Sequence, residues 1–137
     1  MSNSPSQYDR DTAVWVADPF YEKKTAQSAN PSQVGRSRPF LILSDDTHPF
    51  AQTQFIGVLM TLQHHPDAWA LDDSDWLTQS PQKTSYVSPW VVMTPDWTDI
   101  EGDDEDSNQR DATLGEIDPA TVDAIARSIP QYIGITL

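Results

Sequence analysis

Arg38-Pro39-Phe40-Leu41-Ile42-Leu43-Ser44 is the stretch on which the fold turns. Proline lacks a backbone N–H and suits the first position of a strand. The four apolar residues behind it are too few for a helix and read as a strand buried on both faces. Upstream, Ala13-Val14-Trp15-Val16-Ala17 is β-branched and aromatic, and Asp18-Pro19 ends it with turn chemistry. Between the two runs lies a polar loop of roughly 18 residues containing Pro31 and Gly35, a length that marks functional loops more often than idle ones.

Downstream, Asp45-Asp46-Thr47-His48-Pro49 predicts a turn. Residues 54–60 predict a strand with Gly57 at a bulge or close backbone approach, and Thr61 lies at its exit. Trp69-Ala70-Leu71 is a further short strand before the acidic turn 72–75. Residues 84–88 and 90–93 are two strand halves separated by Pro89, which places an edge or bulge there. Six short strands with polar turns predict a mainly β chain forming a small barrel.

Only the C-terminal end has helical periodicity, over 119–133. Asp118 is positioned to cap it, Pro119 suits its first turn, and Val122, Ile125, Ala126 and Ile129 share one face. Pro130 breaks or kinks this helix and Gly134 stops it. With 137 residues and 37% hydrophobic content, the chain encloses one core. The expected organisation is a disordered lead-in over 1–11 and a single domain over 12–137, in which 96–115 is an acidic, partly disordered linker.

The sequence has no cysteine, which removes disulfides and thiolate metal sites. It has neither a spanning apolar stretch nor the basic and apolar regions of a signal peptide, so a soluble cytoplasmic protein with no membrane partner is expected. Twenty-one acids against eight bases give a formal net charge of -13. That excess suits a salt-rich cytoplasm such as a halophilic archaeon's, because the Debye length at about 1 M salt is roughly 3 Å and repulsion between surface carboxylates is screened. The alternative is an ordinary acidic protein whose acidic segment masks its own basic site.

The charge is unevenly placed. Asp96 to Asp118 holds ten acids and one base, Arg110, for a local charge of 1 - 10 = -9. Lys23 to Ser44 holds Lys23, Lys24, Arg36 and Arg38 with no acid. An acid-free basic window in so acidic a chain is where a polyanion would sit, although such a cluster is also what a solvated loop looks like.

In their order and spacing these pieces resemble the PemK/MazF family of toxin components. The matching residues are Val14-Trp15-Val16, Arg38-Pro39 through Ser44, Gly57-Val58-Leu59-Met60-Thr61, Lys83-Thr84-Ser85-Tyr86-Val87, and Gly115 to Gly134, so the likeness covers the chain from about residue 12 onward. The resemblance implies an SH3-like barrel, usually a homodimer, that cleaves single-stranded RNA without a metal or other cofactor and is restrained by a cognate antitoxin. It also implies Arg38 and Thr61 as the active-site pair. Many members carry an arginine after the S-Y-V strand, where this chain has Pro89-Trp90-Val91-Val92-Met93-Thr94.

Metal-free RNA cleavage needs a proton acceptor for the ribose 2'-OH, donors for charge developing on phosphorus, and a proton for the leaving oxygen. The fork of Arg38 can hold two phosphate oxygens, and Thr61 can donate one further bond. Neither accepts a proton readily; Asp45, Asp46 or a histidine are the open choices. Arg38 can equally be a strand-entry arginine paired with a carboxylate, and Thr61 an ordinary strand-end β-former. RNA-binding candidates are Lys23, Lys24, Arg36 and Ser85, with Tyr21 as the ring best placed to stack a base. Trp15 and Trp90 sit in apolar runs and read as core. His64-His65 with Asp67 reads poorly as a metal site, since adjacent residues of an extended segment face opposite ways. Two other classes stay open: a non-catalytic barrel that binds RNA or DNA, and an acidic barrel that binds a basic protein.

Overall fold

The computed structural model describes residues 8–17, 37–78, 81–100 and 112–135. Its strands are β1 (Thr12–Ala17), β2 (Ser37–Ile42), β3 (Gly57–Thr61), β4 (Trp69–Ala70), β5 (Tyr86–Met93) and β6 (Thr113–Glu116), followed by helix α1 (Pro119–Ser128). They form one antiparallel sheet in the order β4-β5-β3-β2-β1-β6. The mainly β architecture with one C-terminal helix is the one the sequence predicts.

The two apolar runs lie at the centre. β1 and β2 pair from Ala13↔Leu41 to Ala17↔Ser37, and Phe40, Leu41 and Ile42 are fully buried. Alternation sends their side chains to two separate cores. Ala13, Leu41, Val58, Met60 and Val87 pack on one face with Trp76, Ile117, and Val122 and Ile125 of α1. Val14, Val16, Phe40 and Ile42 pack on the other against Phe55 and Trp97. Each fully buried aliphatic or aromatic side chain contributes about 1.5–3 kcal/mol, so a sheet buried on both faces needs no further staple.

Segment 69–77 joins the two edges of the sheet. β4 pairs with Val87 and Tyr86 of β5, and the Leu71 N–H donates to the Ser85 carbonyl at 3.0 Å. After a 3-10 turn over Asp73–Asp75, Trp76 bridges to Ile117, and the Leu77 N–H donates to the Glu116 carbonyl at 2.8 Å. The sheet thereby curls into a small barrel.

Three local features differ from expectation. The halves around Pro89 are one strand, β5, and the irregularity sits in the β3–β5 ladder, where Val58 pairs with Val92 but Leu59 pairs with Ser88. Pro89, with no N–H to place, falls in the skipped stretch. β6 arises at the end of the segment read as an acidic linker, of which 101–111 lies outside the described residues. Arg10 and Asp11, at the end of the lead-in, are fastened to the body: Arg10 donates to the Leu43 carbonyl at 2.8 Å and to Asp123 of α1 at 2.6 Å, while the Ile117 N–H donates to the Asp11 carbonyl at 2.9 Å.

The helix begins as its sequence predicts, with Asp118 accepting from the Ala120 N–H at 3.2 Å and Pro119 in the first turn. Its α-helical part ends at Ser128, and Pro130 carries the chain on as a 3-10 helix, Ile129–Ile133, stopped by Gly134 at φ +86°.

A methyl group at Gly115 would lie 2.7 and 2.8 Å from Trp76 ring carbons and 2.9 Å from Thr78 Oγ1. Trp76 is buried and cannot swing away, so Gly115→Ala should cost about 1–3 kcal/mol by overpacking, read as a lower denaturation midpoint at unchanged slope. A midpoint equal to wild type would show that Trp76 does not press on the sheet edge.

Asp11 adopts a left-handed backbone, φ 80°, and one of its carboxylate oxygens is buried with an ion-pair contact to Arg10 but no hydrogen bond. Burial raises its carboxyl above the ordinary 3.8; Arg10 at 3.4 Å opposes this, and Asp123, Asp118 and Glu116 add to it. A raised acid destabilises the folded state while ionised, and this penalty fades as pH falls through the folded value toward 3.8. Asp11→Asn keeps the backbone tolerance and removes the charge. Its melting temperature should exceed wild type at pH 7, with the gap closing near pH 4; a lower value at pH 7 would overturn the assignment.

Candidate nucleic-acid interface

One end of the barrel collects the end of β1, the start of β2, the end of β3 and the entry to β5. Arg38 pairs with Val16, and Thr61 with Tyr86. The β2–β3 ladder runs Ile42↔Gly57, Leu41↔Val58, Phe40↔Leu59. The ladder ends there, and Arg38 and Thr61 lie two residues beyond its last pair, at the same end of neighbouring strands. Both are partly exposed.

Thr61 Oγ1 accepts a hydrogen bond from the Gln63 N–H at 3.1 Å. The oxygen is held by the turn that follows the strand, and a hydroxyl in that state still has its own proton to donate. His64 lies three residues beyond Thr61, edge-on to Tyr86 with centroids 5.3 Å apart, and Tyr86 is the cross-strand neighbour of Thr61.

The other proton acceptors considered lie at the opposite end. Asp45 follows the far end of β2 and accepts from the Thr47 N–H at 2.9 Å and its hydroxyl at 2.6 Å. Those bonds hold its carboxyl below the ordinary carboxylate value. Asp46 borders a polar cavity there with Tyr8, Asp9 and Arg10. His48 Nδ1 accepts from the Phe50 N–H at 3.1 Å in the same turn.

Beside Thr61, on the face that carries Met60, lies an apolar cavity of about 400 Å³. Its apolar lining includes Trp15 and Pro39, a cross-strand pair, with Met60 of β3 and Leu114 of β6. Thr61, Gln82, Lys83 and Ser85 supply its polar groups. Ser85 is thus brought to the same end as Arg38 and Thr61. Tyr21, Lys23, Lys24 and Arg36 lie outside the described residues.

Trp15 lines the cavity and is only partly buried. Trp90 is 40% exposed instead of core, with its ring 5.1 Å from His65 and 5.4 Å from Tyr132. His64 and His65 face different rings, as alternation requires, and among the described residues no group of His, Asp and Glu forms a metal site. Sequence reading missed Gln82, Lys83 and Leu114 as neighbours of Thr61. Lys83 opens a motif visible in the sequence, whereas Leu114 enters only through β6.

The architecture is that of an SH3-like small barrel with a C-terminal helix. No family model matches the chain, and no curated protein matches it. Among solved structures it is similar to a mycobacterial endoribonuclease in complex with its cognate antitoxin, at 20% identity over 99% of each chain with a TM-score of 0.57. It is similar also to an endoribonuclease from a mycobacterial species, at 20% identity over 97% of each chain with a TM-score of 0.59. A MazE–MazF complex from Deinococcus radiodurans gives 14% identity over 96% of this chain and 99% of that one, with a TM-score of 0.57. The chain has the MazF-like fold along its length.

Proposed function

We propose that this protein is an endoribonuclease toxin of a toxin-antitoxin pair, cleaving single-stranded RNA by attack of the ribose 2'-OH without a metal ion. The observation that supports the reading is the MazF-like barrel itself, with Arg38 at the start of β2 and Thr61 at the end of β3, at the same end of the sheet. Mycobacterial and Deinococcus structures of this fold include endoribonucleases and complexes with an antitoxin, which supports both the activity and a cognate antitoxin as partner. A homodimer is proposed on the resemblance alone.

In this reading Arg38 binds two oxygens of the scissile phosphate and Thr61 donates to a third site as negative charge grows on phosphorus. The 2'-oxygen forms its bond to phosphorus as the bond to the 5'-oxygen breaks, leaving a cyclic phosphate and a free 5'-hydroxyl. His64 takes the 2'-OH proton, since imidazole can accept one where guanidinium and hydroxyl do not, and it is the histidine next to the neighbour of Thr61. The 5'-oxygen takes its proton from the protonated imidazole or water.

Cleavage of a single-stranded RNA in EDTA tests the reading. Arg38→Ala should abolish it with the circular dichroism spectrum retained, Thr61→Val should lower kcat by about 10²–10³, and His64→Gln by about 10²–10⁴. Undiminished cleavage by Arg38→Ala would overturn the mechanism. RNA bound by the wild-type chain without fragments would instead identify a binding module.

A further inference from the structure

We infer that His65 is a pH-dependent latch: its neutral imidazole holds the turn that follows β3, and protonation releases it. Two stretches of the chain share one pattern, His48-Pro49-Phe50-Ala51 and His65-Pro66-Asp67-Ala68. Both fold alike. In each, the histidine carbonyl accepts from the alanine N–H at 3.0 Å. In each, the histidine Nδ1 also accepts from the N–H two residues on, at 3.1 Å in the first turn and 3.0 Å in the second. Proline in the second position lends its fixed φ to such a turn and has no N–H to place. One pattern giving the same two bonds at opposite ends of β3 makes the imidazole a working part of the turn.

Acceptance at Nδ1 requires the neutral ring with its proton on Nε2, and a second proton turns that acceptor into a donor facing a donor. Histidine is the side chain whose charge ordinarily changes between pH 5 and 8. What the two turns hold differs. His48 fixes a loop beside the exposed Phe50. Asp67, by contrast, is a joint: its N–H donates to His65 and its carbonyl accepts from the Tyr132 hydroxyl at 3.1 Å. The His65 ring lies 5.1 Å from Trp90, which lies 5.4 Å from Tyr132. Losing the Nδ1 bond therefore frees one side of the residue that ties this loop to the C-terminal 3-10 helix.

The titratable groups about the ring are Asp67 in its own turn, His64 beside it, Tyr86 of β5 against which His64 packs, and Tyr132 of the 3-10 helix. An imidazolium is not stranded here. The ring is exposed, the Trp90 indole face can receive a cation, and the Asp67 carboxylate belongs to the same turn. His65 thus changes partners on protonation and gives up the turn bond without burying a charge. The latch stands on this geometry alone. Only its effect on cleavage rests on the proposed endoribonuclease reading, under which acidification loosens the loop that carries His64 beside Thr61.

Amide hydrogen exchange of the full chain tests the latch, with the protection of Asp67 and Ala68 corrected for the intrinsic effect of pH. From pH 8 to pH 5 that protection should fall by about 2- to 12-fold, the worth of one hydrogen bond, in step with the imidazole resonances of His65. At pH 8 the imidazole nitrogen shifts should place the ring proton on Nε2. His65→Asn, an exposed change, offers the same N–H an acceptor that does not titrate, and should keep the protection constant over the range. His48→Asn should leave the wild-type response intact. A ring proton on Nδ1 at pH 8, protection that does not change with pH in the wild type, an equal fall in His65→Asn, or a response abolished by His48→Asn would each overturn the inference. The expected response without any RNA cleavage in EDTA would keep the latch and reject the toxin reading.

Discussion

The approach of Trp76 to Gly115 is the contact on which the rest of the molecule depends. A sheet of six strands has two edges, and here one short segment ties both: residues 69–71 hydrogen-bond to β5, and residues 76–77 to the end of β6. The buried indole lies so close to β6 that only a residue without a side chain fits beneath it. Closure has a chemical consequence. It brings Leu114 of β6 round to the same cavity as Ser85, at the entry to β5 on the other flank of the sheet. Without that join the cavity beside Thr61 would be an open groove.

The distribution of cations follows a similar division. Four of the eight basic residues are among those described: Arg10, Arg38, Lys83 and Arg127. Arg10 is committed to structure, joining the start of the barrel to the Leu43 carbonyl and to Asp123 of α1. Arg127 lies in the last turn of the helix, where a cation favours the dipole. Arg38 and Lys83 are at the open end. Among the described residues, this end therefore gathers two of four cations in a chain whose net charge of -13 disfavours polyanions.

Legibility in the sequence tracks how local each signal is. β1 and β2 were readable because both faces are buried and every residue in the run is apolar. The start of α1 was readable from Asp118 and Pro119, whose capping chemistry acts within one turn. β6 was not, because Thr113–Glu116 is four residues, one of them glycine, following a dense run of acids; its partners are β1 and Trp76, about 100 and 40 residues away in the chain. Trp90 misled for the opposite reason. Its neighbours Val91 and Val92 suggest a core strand, but the skipped ladder at Pro89 turns it out toward His65 and Tyr132. Arg38 and Thr61 were individually visible, while their placement at one end of neighbouring strands belongs to the sheet.

That skipped ladder also bears on how this barrel would manage phosphate. Many chains of the resembling family carry an arginine in the stretch after the S-Y-V strand; residues 89–94 here have none, and in that stretch Trp90 sits between His65 and Tyr132, whose hydroxyl donates to the Asp67 carbonyl at 3.1 Å. The rings tie the C-terminal 3-10 helix to the loop that carries His64 and His65. The loop that carries His64 is anchored at both ends, by Gln63 to Thr61 and by Tyr132 to Asp67, which is the support the proposed proton transfer would draw on. A site with few cations and a fixed proton acceptor relies on positioning more than on field strength, which is what the proposed reading asks of a chain with net charge -13.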